Sequence, residues 1–183
     1  MAMKKKRYAL VIDSRKCINC KACAVACKAE NDVPVGNFRN RINEERKGEY
    51  PKLSIDFEPE QCHHCAEPSC VRVCPTGASW QRKDGIVLVN DSECIGCRYC
   101  MLACPYDARY FHEEAGVVGK CTLCSHRVDK GEIPACVATC PSKVRVFGDL
   151  EDATSRIHEL LATRRYRVKE PQTGNGPQLY YLL

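Results

Sequence analysis

Apolar residues in this 183-residue chain come in short runs, none long enough to span a bilayer. Tyr8-Ala-Leu-Val-Ile-Asp13 is a continuous apolar run closed by an acid, which predicts a strand leading into the following loop. Ala24–Asn31 reads as a short helix. Residues 28–61 form a polar, charged insertion in which Leu53–Phe57 has strand composition. From Trp80 to Asn90 two extended arms flank Lys83-Asp84-Gly85, a hairpin turn, and Ile86–Val89 reads as a strand. Glu151–Arg165 carries the one clear helical period, with Ala153, Ile157, Leu160 and Leu161 on one face. Leu179–Leu183 reads as an edge strand. Elements this short bury little, so something else must tie the chain together.

Sixteen cysteines supply it. They fall into four quartets: Cys17, Cys20, Cys23, Cys27; Cys62, Cys65, Cys70, Cys74; Cys94, Cys97, Cys100, Cys104; and Cys121, Cys124, Cys136, Cys140. Proline follows the last cysteine in three of them, at Pro75, Pro105 and Pro141. The first and third quartets have the C-x2-C-x2-C-x3-C spacing that grips cubane iron–sulfur clusters, the fourth cysteine reaching a neighbouring cluster. Two residues between ligands place successive soft thiolates on adjacent iron corners. Four quartets at four thiolates each predict four [4Fe–4S] clusters and a chain that moves electrons.

Three other readings of the cysteines fit less well. Disulfide frameworks do not repeat as quartets, and adjacent CxxC pairs make poor structural disulfides. Zinc sites pair CxxC units across longer gaps, which the second and fourth quartets resemble but the first and third do not. A redox-active dithiol uses one CxxC.

The repetition predicts an α+β chain of two ferredoxin-like dicluster modules, loop-rich, with short strands and helices around four cubanes. Spacing alone leaves sequential and nested pairing of the quartets open. The formal charge of +5 counts the thiols as neutral. Oxidised cubanes with their thiolates add about −2 each and bring the holoprotein to about −3, so the basic composition does not indicate nucleic acid. Lys4, Lys5, Lys6 and Arg7 precede no apolar signal-peptide core and read as a solvated tail. No nucleophile–base set, phosphate-cradling glycine loop or flavin motif is present, so substrate chemistry belongs elsewhere.

The order of the quartets, with Cys-Pro-Thr-Gly-Ala-Ser at residues 74–79, Asp84-Gly85, Cys104-Pro-Tyr-Asp-Ala-Arg109 and Phe147-Gly-Asp-Leu150, resembles one family along essentially the whole chain. It is the four-cluster iron–sulfur subunit of the dimethyl sulfoxide reductase superfamily. The short length and lack of a C-terminal anchor helix look most like the polysulfide and thiosulfate reductase branch. The resemblance implies a non-catalytic electron-transfer subunit between a large molybdenum or tungsten pterin catalytic subunit and a quinone-reactive integral membrane subunit. It implies membrane association through those partners, on the periplasmic face by co-export or on the cytoplasmic face, with no span and no nucleic acid. It also implies nested pairing. The four clusters would then take Cys17, Cys20, Cys23 and Cys140; Cys121, Cys124, Cys136 and Cys27; Cys62, Cys65, Cys70 and Cys104; and Cys94, Cys97, Cys100 and Cys74. Residues 1–183 would form one unit. Module A would comprise about 1–50 with 105–150, module B about 51–104, and 151–183 a C-terminal helix and tail. Cys100 is present where nitrate reductase relatives lack the cysteine, so a full cubane is expected there.

Lys21, His63, His64, Arg98, Lys143 and Arg145 lie near ligand cysteines and are candidates for tuning cluster potentials. Trp80, Tyr99, Tyr106 and Tyr110 read as packing or interface residues, and Asp107 and Arg109 as a local pair. A free soluble polyferredoxin and a cluster-based redox sensor are the other function classes. The long insertion speaks against the first, and the number of clusters against the second.

Overall fold

The computed structural model describes residues 6–183; Lys4 and Lys5 of the basic tail lie outside that range. Strand β1 (Tyr8–Ile12) is the centre of the molecule. It pairs antiparallel with β8 (Arg145–Asp149) and parallel with β10 (Leu179–Leu182), which in turn pairs with the two-residue β9 (Tyr166–Arg167). Both faces of β1 are covered, which explains its unbroken apolar run. Leu10 and Ile12 pack with Ile86, Leu123, Val128, Val144, Leu179 and Tyr181 toward the cysteine-bearing part of the chain. Ala9 and Val11 face the other way, onto Ile157 and Leu182.

That second layer is the helix α6 (Arg156–Thr163). It is shorter than the period predicts: Asp152 accepts hydrogen bonds from the Thr154 backbone and hydroxyl, folding 152–155 into a turn, and helix begins only after Ser155. Ala153 is therefore outside the helix and exposed, whereas Ile157 is fully buried with Leu160 and Leu161 beside it. Burying Ile157 contributes roughly 2 kcal/mol. The close approach is made at Gly148 of β8, where a Cβ would collide with Ser155 Oγ. The C-terminal strand is a second correction. β10 lies inside the sheet between β1 and β9 rather than at an edge.

Three hairpins and five further α-helices lie among the rest of the described residues. Residues 28–61 contain the tail of α1 (Ala22–Asn31) and a full eight-by-eight hairpin, β2 (Asn40–Lys47) with β3 (Ser54–Gln61), in place of the single strand expected. Its outer half is charged and exposed, and its inner end at Pro59–Gln61 is buried. The remaining helices are α2 (Ser69–Arg72), α3 (Tyr99–Leu102), α4 (Ser125–Val128) and α5 (Ala135–Ala138). The hairpin β4 (Ser79–Gln81)–β5 (Val87–Val89) forms as predicted around Asp84-Gly85. A third hairpin, β6 (Arg109–His112)–β7 (Val117–Lys120), has no counterpart among the sequence-based expectations. Helices α1 and α5 pack together, as do α2 and α3. No helix among the described residues is long and apolar enough to cross a membrane.

Candidate metal centres

None of the sixteen cysteines is in a disulfide. They line four separate cavities, four to each. The first is walled by Cys17, Cys20, Cys23 and Cys140, and the second by Cys27, Cys121, Cys124 and Cys136. The third holds Cys62, Cys65, Cys70 and Cys104, and the fourth Cys74, Cys94, Cys97 and Cys100. All four are small and closely walled, whereas the open surface recess beside Trp80 has no cysteine. The same donor set repeated in four like cavities indicates one kind of occupant. Among the described residues no three of His, Cys, Asp and Glu converge on a single ion. Thiols spread around a cavity suit a polynuclear cluster better than a mononuclear site.

The same backbone device builds every cavity. At the second residue inside each first Cys-x2-Cys the chain turns left-handed: Asn19 (φ 54), His64 (φ 42), Gly96 (φ 67) and Leu123 (φ 54). Such a conformation costs a non-glycine residue of order 1 kcal/mol, and its recurrence at all four loops marks a shape imposed by what the loop encloses. The chain then enters a short helix whose second residue is the third cysteine: Cys23 in α1, Cys70 in α2, Cys100 in α3 and Cys136 in α5. The fourth cysteine follows one helical turn later and lines a different cavity. Behind the Cys-Pro steps a further left-handed residue closes a turn onto the cysteine carbonyl, at Gly77 (3.4 Å), Asp107 (3.4 Å) and Lys143 (3.2 Å). These turns aim backbone N–H groups at sulfur: Ser79 N donates to Cys74 Sγ and Val144 N to Cys140 Sγ, both at 3.3 Å. Leu123 N does the same for Cys121 Sγ. Such bonds stabilise thiolate and raise the potential of whatever it ligates.

Electrostatics separate the interior thiols from the donor-rich ones. Burial pushes Cys27, Cys65, Cys121 and Cys136 up to about 12, with neighbouring thiols adding to the rise. Burial acts in the same direction at Cys74, but donors from Ser79, Thr76 and Gly77 outweigh it and lower its pKa. Four crowded sulfurs held protonated in the absence of a cation are the chemistry of a metal-cluster site.

Successive cavities adjoin. Cys23 of the first lies within electrostatic reach of Cys136 of the second, Cys62 of the third within reach of Cys121 of the second, and Cys70 of the third within reach of Cys100 of the fourth. The two end cavities reach the surface. Each has an exposed cysteine, Cys20 or Cys97, beside an exposed isoleucine, Ile18 (63 %) or Ile95 (66 %).

The tuning candidates sort by position. Arg145 is buried, lines the first cavity, and places Nη2 3.9 Å from Cys23 Sγ. His63 lines the third cavity; its Nε2 bonds Glu60 at 2.8 Å and its ring stacks on Tyr106 at 3.8 Å. His64 is buried and accepts from Val87 N at Nδ1 (3.0 Å); burial holds its pKa well below the usual range. Arg98 lines the fourth cavity and lies 3.7 Å over the Phe111 ring. Lys21 instead points to Glu44 (3.3 Å), and Lys143 is an exposed turn residue. Tyr106 and Tyr110 are packed inside, and Trp80 and Tyr99 are surface residues. Arg109 corrects the reading of a local pair: Asp107 faces Arg41, while Arg109 is buried and lines the third and fourth cavities together. Lys120, also buried, is a residue that no motif in the sequence singles out.

Four thiol cavities held by paired short helices define a dicluster ferredoxin-type protein. Two 4Fe-4S dicluster domain profiles match the chain, over residues 53–150 and 9–78. The chain is 44 % identical over 181 residues to a tetrathionate reductase subunit of Salmonella typhimurium, covering 96 % of this chain and 72 % of that one. It is 38 % identical over 178 residues to a polysulfide reductase component of Wolinella succinogenes (96 % and 93 %). It is 34 % identical over 224 residues to the arsenate respiratory reductase iron-sulfur subunit of Shewanella sp. (96 % of each). The chain belongs to this family, the four-cluster iron–sulfur subunits of respiratory molybdopterin oxidoreductases. It carries four [4Fe–4S] clusters, and its role is electron transfer within a reductase complex rather than catalysis.

Proposed function

We propose that this chain relays electrons between a quinone-reactive membrane subunit and a large catalytic subunit that carries molybdenum or tungsten on pterin. The observation that carries the reading is that each cavity adjoins the next, with an exposed cysteine at the first and at the fourth. Each cavity takes one cluster on its four thiolates, so that groups one and four of the sequence form one dicluster module and groups two and three the other. When bound, each cluster supplies a one-electron site. The protein's own contribution is spacing, insulation and potential. The Cys-bearing helices place one ligand of each of two paired cavities about one helical turn apart, and N–H groups from Ser79, Leu123 and Val144 stabilise thiolate. Ile18 and Ile95 give the end loops apolar contact surface for partners. By resemblance the first cavity faces the catalytic subunit and the fourth the membrane subunit, and membrane association comes through that partner. The relatives bear the names of reductase subunits, which favours this reading over a free soluble carrier.

The test is made in the assembled complex. Cys100→Ser abolishes quinol-linked turnover while leaving the catalytic partner active with an artificial electron donor. Undiminished quinol-linked turnover in that variant refutes the relay.

A further inference from the structure

Among the described residues three lysines and arginines are buried, and each occupies a junction between two successive cavities. Arg145 lines the first cavity, and its Nη1 donates to Gln61 Oε1, whose residue lines the second. Lys120 Nζ donates to two backbone carbonyls, that of Cys121 from the second cavity and that of Val87 from the third. Arg109 lines the third and fourth cavities at once; its Nη2 bonds Ser79 Oγ at 2.8 Å, and its Nη1 is buried without any hydrogen-bond partner. All three residues are 5 % exposed or less.

Ordinary packing does not account for this placement. Arg109 and Lys120 are directly opposed across the β6–β7 hairpin, a like-charge pairing that destabilises a sheet unless anions lie close by. Neither cation has a carboxylate partner. A buried, unpaired charge is costly. The groups within reach that bear negative charge once ligated are the cysteines: Cys70, Cys100 and Cys62 around Arg109, Cys62, Cys121 and Cys70 around Lys120, and Cys136 and Cys23 around Arg145.

We infer that Arg145, Lys120 and Arg109 form a ladder of fixed positive charge, one rung per junction, that raises the potentials of the flanking clusters and screens the repulsion between electrons on neighbouring ones. Without a rung, an electron on one cluster lowers the potential of the next across a medium of low dielectric, and the two titrate far apart. With it, the four potentials stay close enough for transfer in series. These are positioning charges that act through the clusters, and the inference rests on the ligand sets proposed above.

The experiment is an EPR-monitored redox titration of the anaerobically purified holoprotein and its variants. Lys120→Met shifts the second and third clusters to lower potential by at least tenfold in the one-electron equilibrium, about 59 mV, with smaller effects on the outer two. Arg109→Met does so for the third and fourth. Lys120→Arg and Arg109→Lys, which keep the charge, restore the native values. If a methionine variant fails to load, the glutamine variant at the same position carries the same expectation. Four intact clusters with unshifted potentials, or an equal shift in the charge-keeping variants, overturn the ladder and leave the relay standing. A shift confined to clusters that do not flank the substituted residue overturns the ligand sets, and the ladder with them.

Discussion

Cys23 and Cys27 lie one turn apart on α1, yet they line different cavities, Cys23 the first and Cys27 the second. The helix is a partition between two thiol cavities, and its partner α5 repeats the arrangement in reverse, with Cys136 on the helix and Cys140 two residues beyond its end. On the ligand sets proposed above, exchange of the fourth cysteine between paired quartets gives each proposed module two covalent ties between separate segments of the chain.

Cys27→Ser therefore removes a ligand from the cluster otherwise held by Cys121, Cys124 and Cys136. Iron content falls from about 16 toward about 12 per chain, and the EPR contribution of the second cluster is lost or altered. The cluster on Cys17, Cys20, Cys23 and Cys140 keeps its signal. Loss of that first cluster in its place contradicts the assignment.

Two glycines separate backbone strain from steric fit. Gly77 (φ +73) has open space where a Cβ would stand, so Gly77→Ala costs about 1 kcal/mol for the left-handed backbone alone. Gly96 (φ +67) would drive a Cβ into Gly116 O and to 3.2 Å from the Phe111 ring. Gly96→Ala adds a clash and costs roughly 3 kcal/mol in total. Denaturant midpoints, followed by bleaching of the visible cluster absorption, fall little for the first and steeply for the second.

Cluster loading depends on pH in a definite direction. Thiols of the unfolded chain ionise near about 8.5, whereas Cys27, Cys65, Cys121 and Cys136 are raised to about 12 in the folded, cluster-free chain. Raised pKa values favour the folded apoprotein below about 8.5, and that advantage is lost as pH climbs toward about 12. Ligation runs the other way, since it requires thiolate and releases protons. In anaerobic reconstitution, occupancy rises from about pH 6 to about 9. Iron and sulfide analysis across that window checks it, and a flat or falling profile is the contrary result.

Much of the site is written locally. A cysteine quartet is a contiguous instruction, so the four loops, α1 and the β4–β5 hairpin are legible from residues that touch one another in sequence. The β2–β3 hairpin is not, because Asn-Arg-Ile-Asn-Glu-Glu-Arg-Lys has no apolar alternation and much of the hairpin faces solvent. Strand β10 reads as an edge because nothing in Leu179–Leu182 announces its parallel partner β1 at the other end of the chain. Arg109 and Lys120 look like surface charges for a different reason. Their burial is tolerable only beside anionic clusters, an environment assembled from three quartets at once. The one local signal is their adjacency to ligands, with Lys120 immediately before Cys121 and Arg109 shortly after Cys104.

The most direct test of the relay is a single-turnover reaction of the intact complex with a quinol, sampled by rapid-freeze EPR. The account predicts that the cluster on Cys74, Cys94, Cys97 and Cys100 is reduced first and the cluster on Cys17, Cys20, Cys23 and Cys140 last, before the catalytic subunit's metal changes state. Reduction of the catalytic metal while these clusters remain oxidised, or in the reverse order, contradicts it.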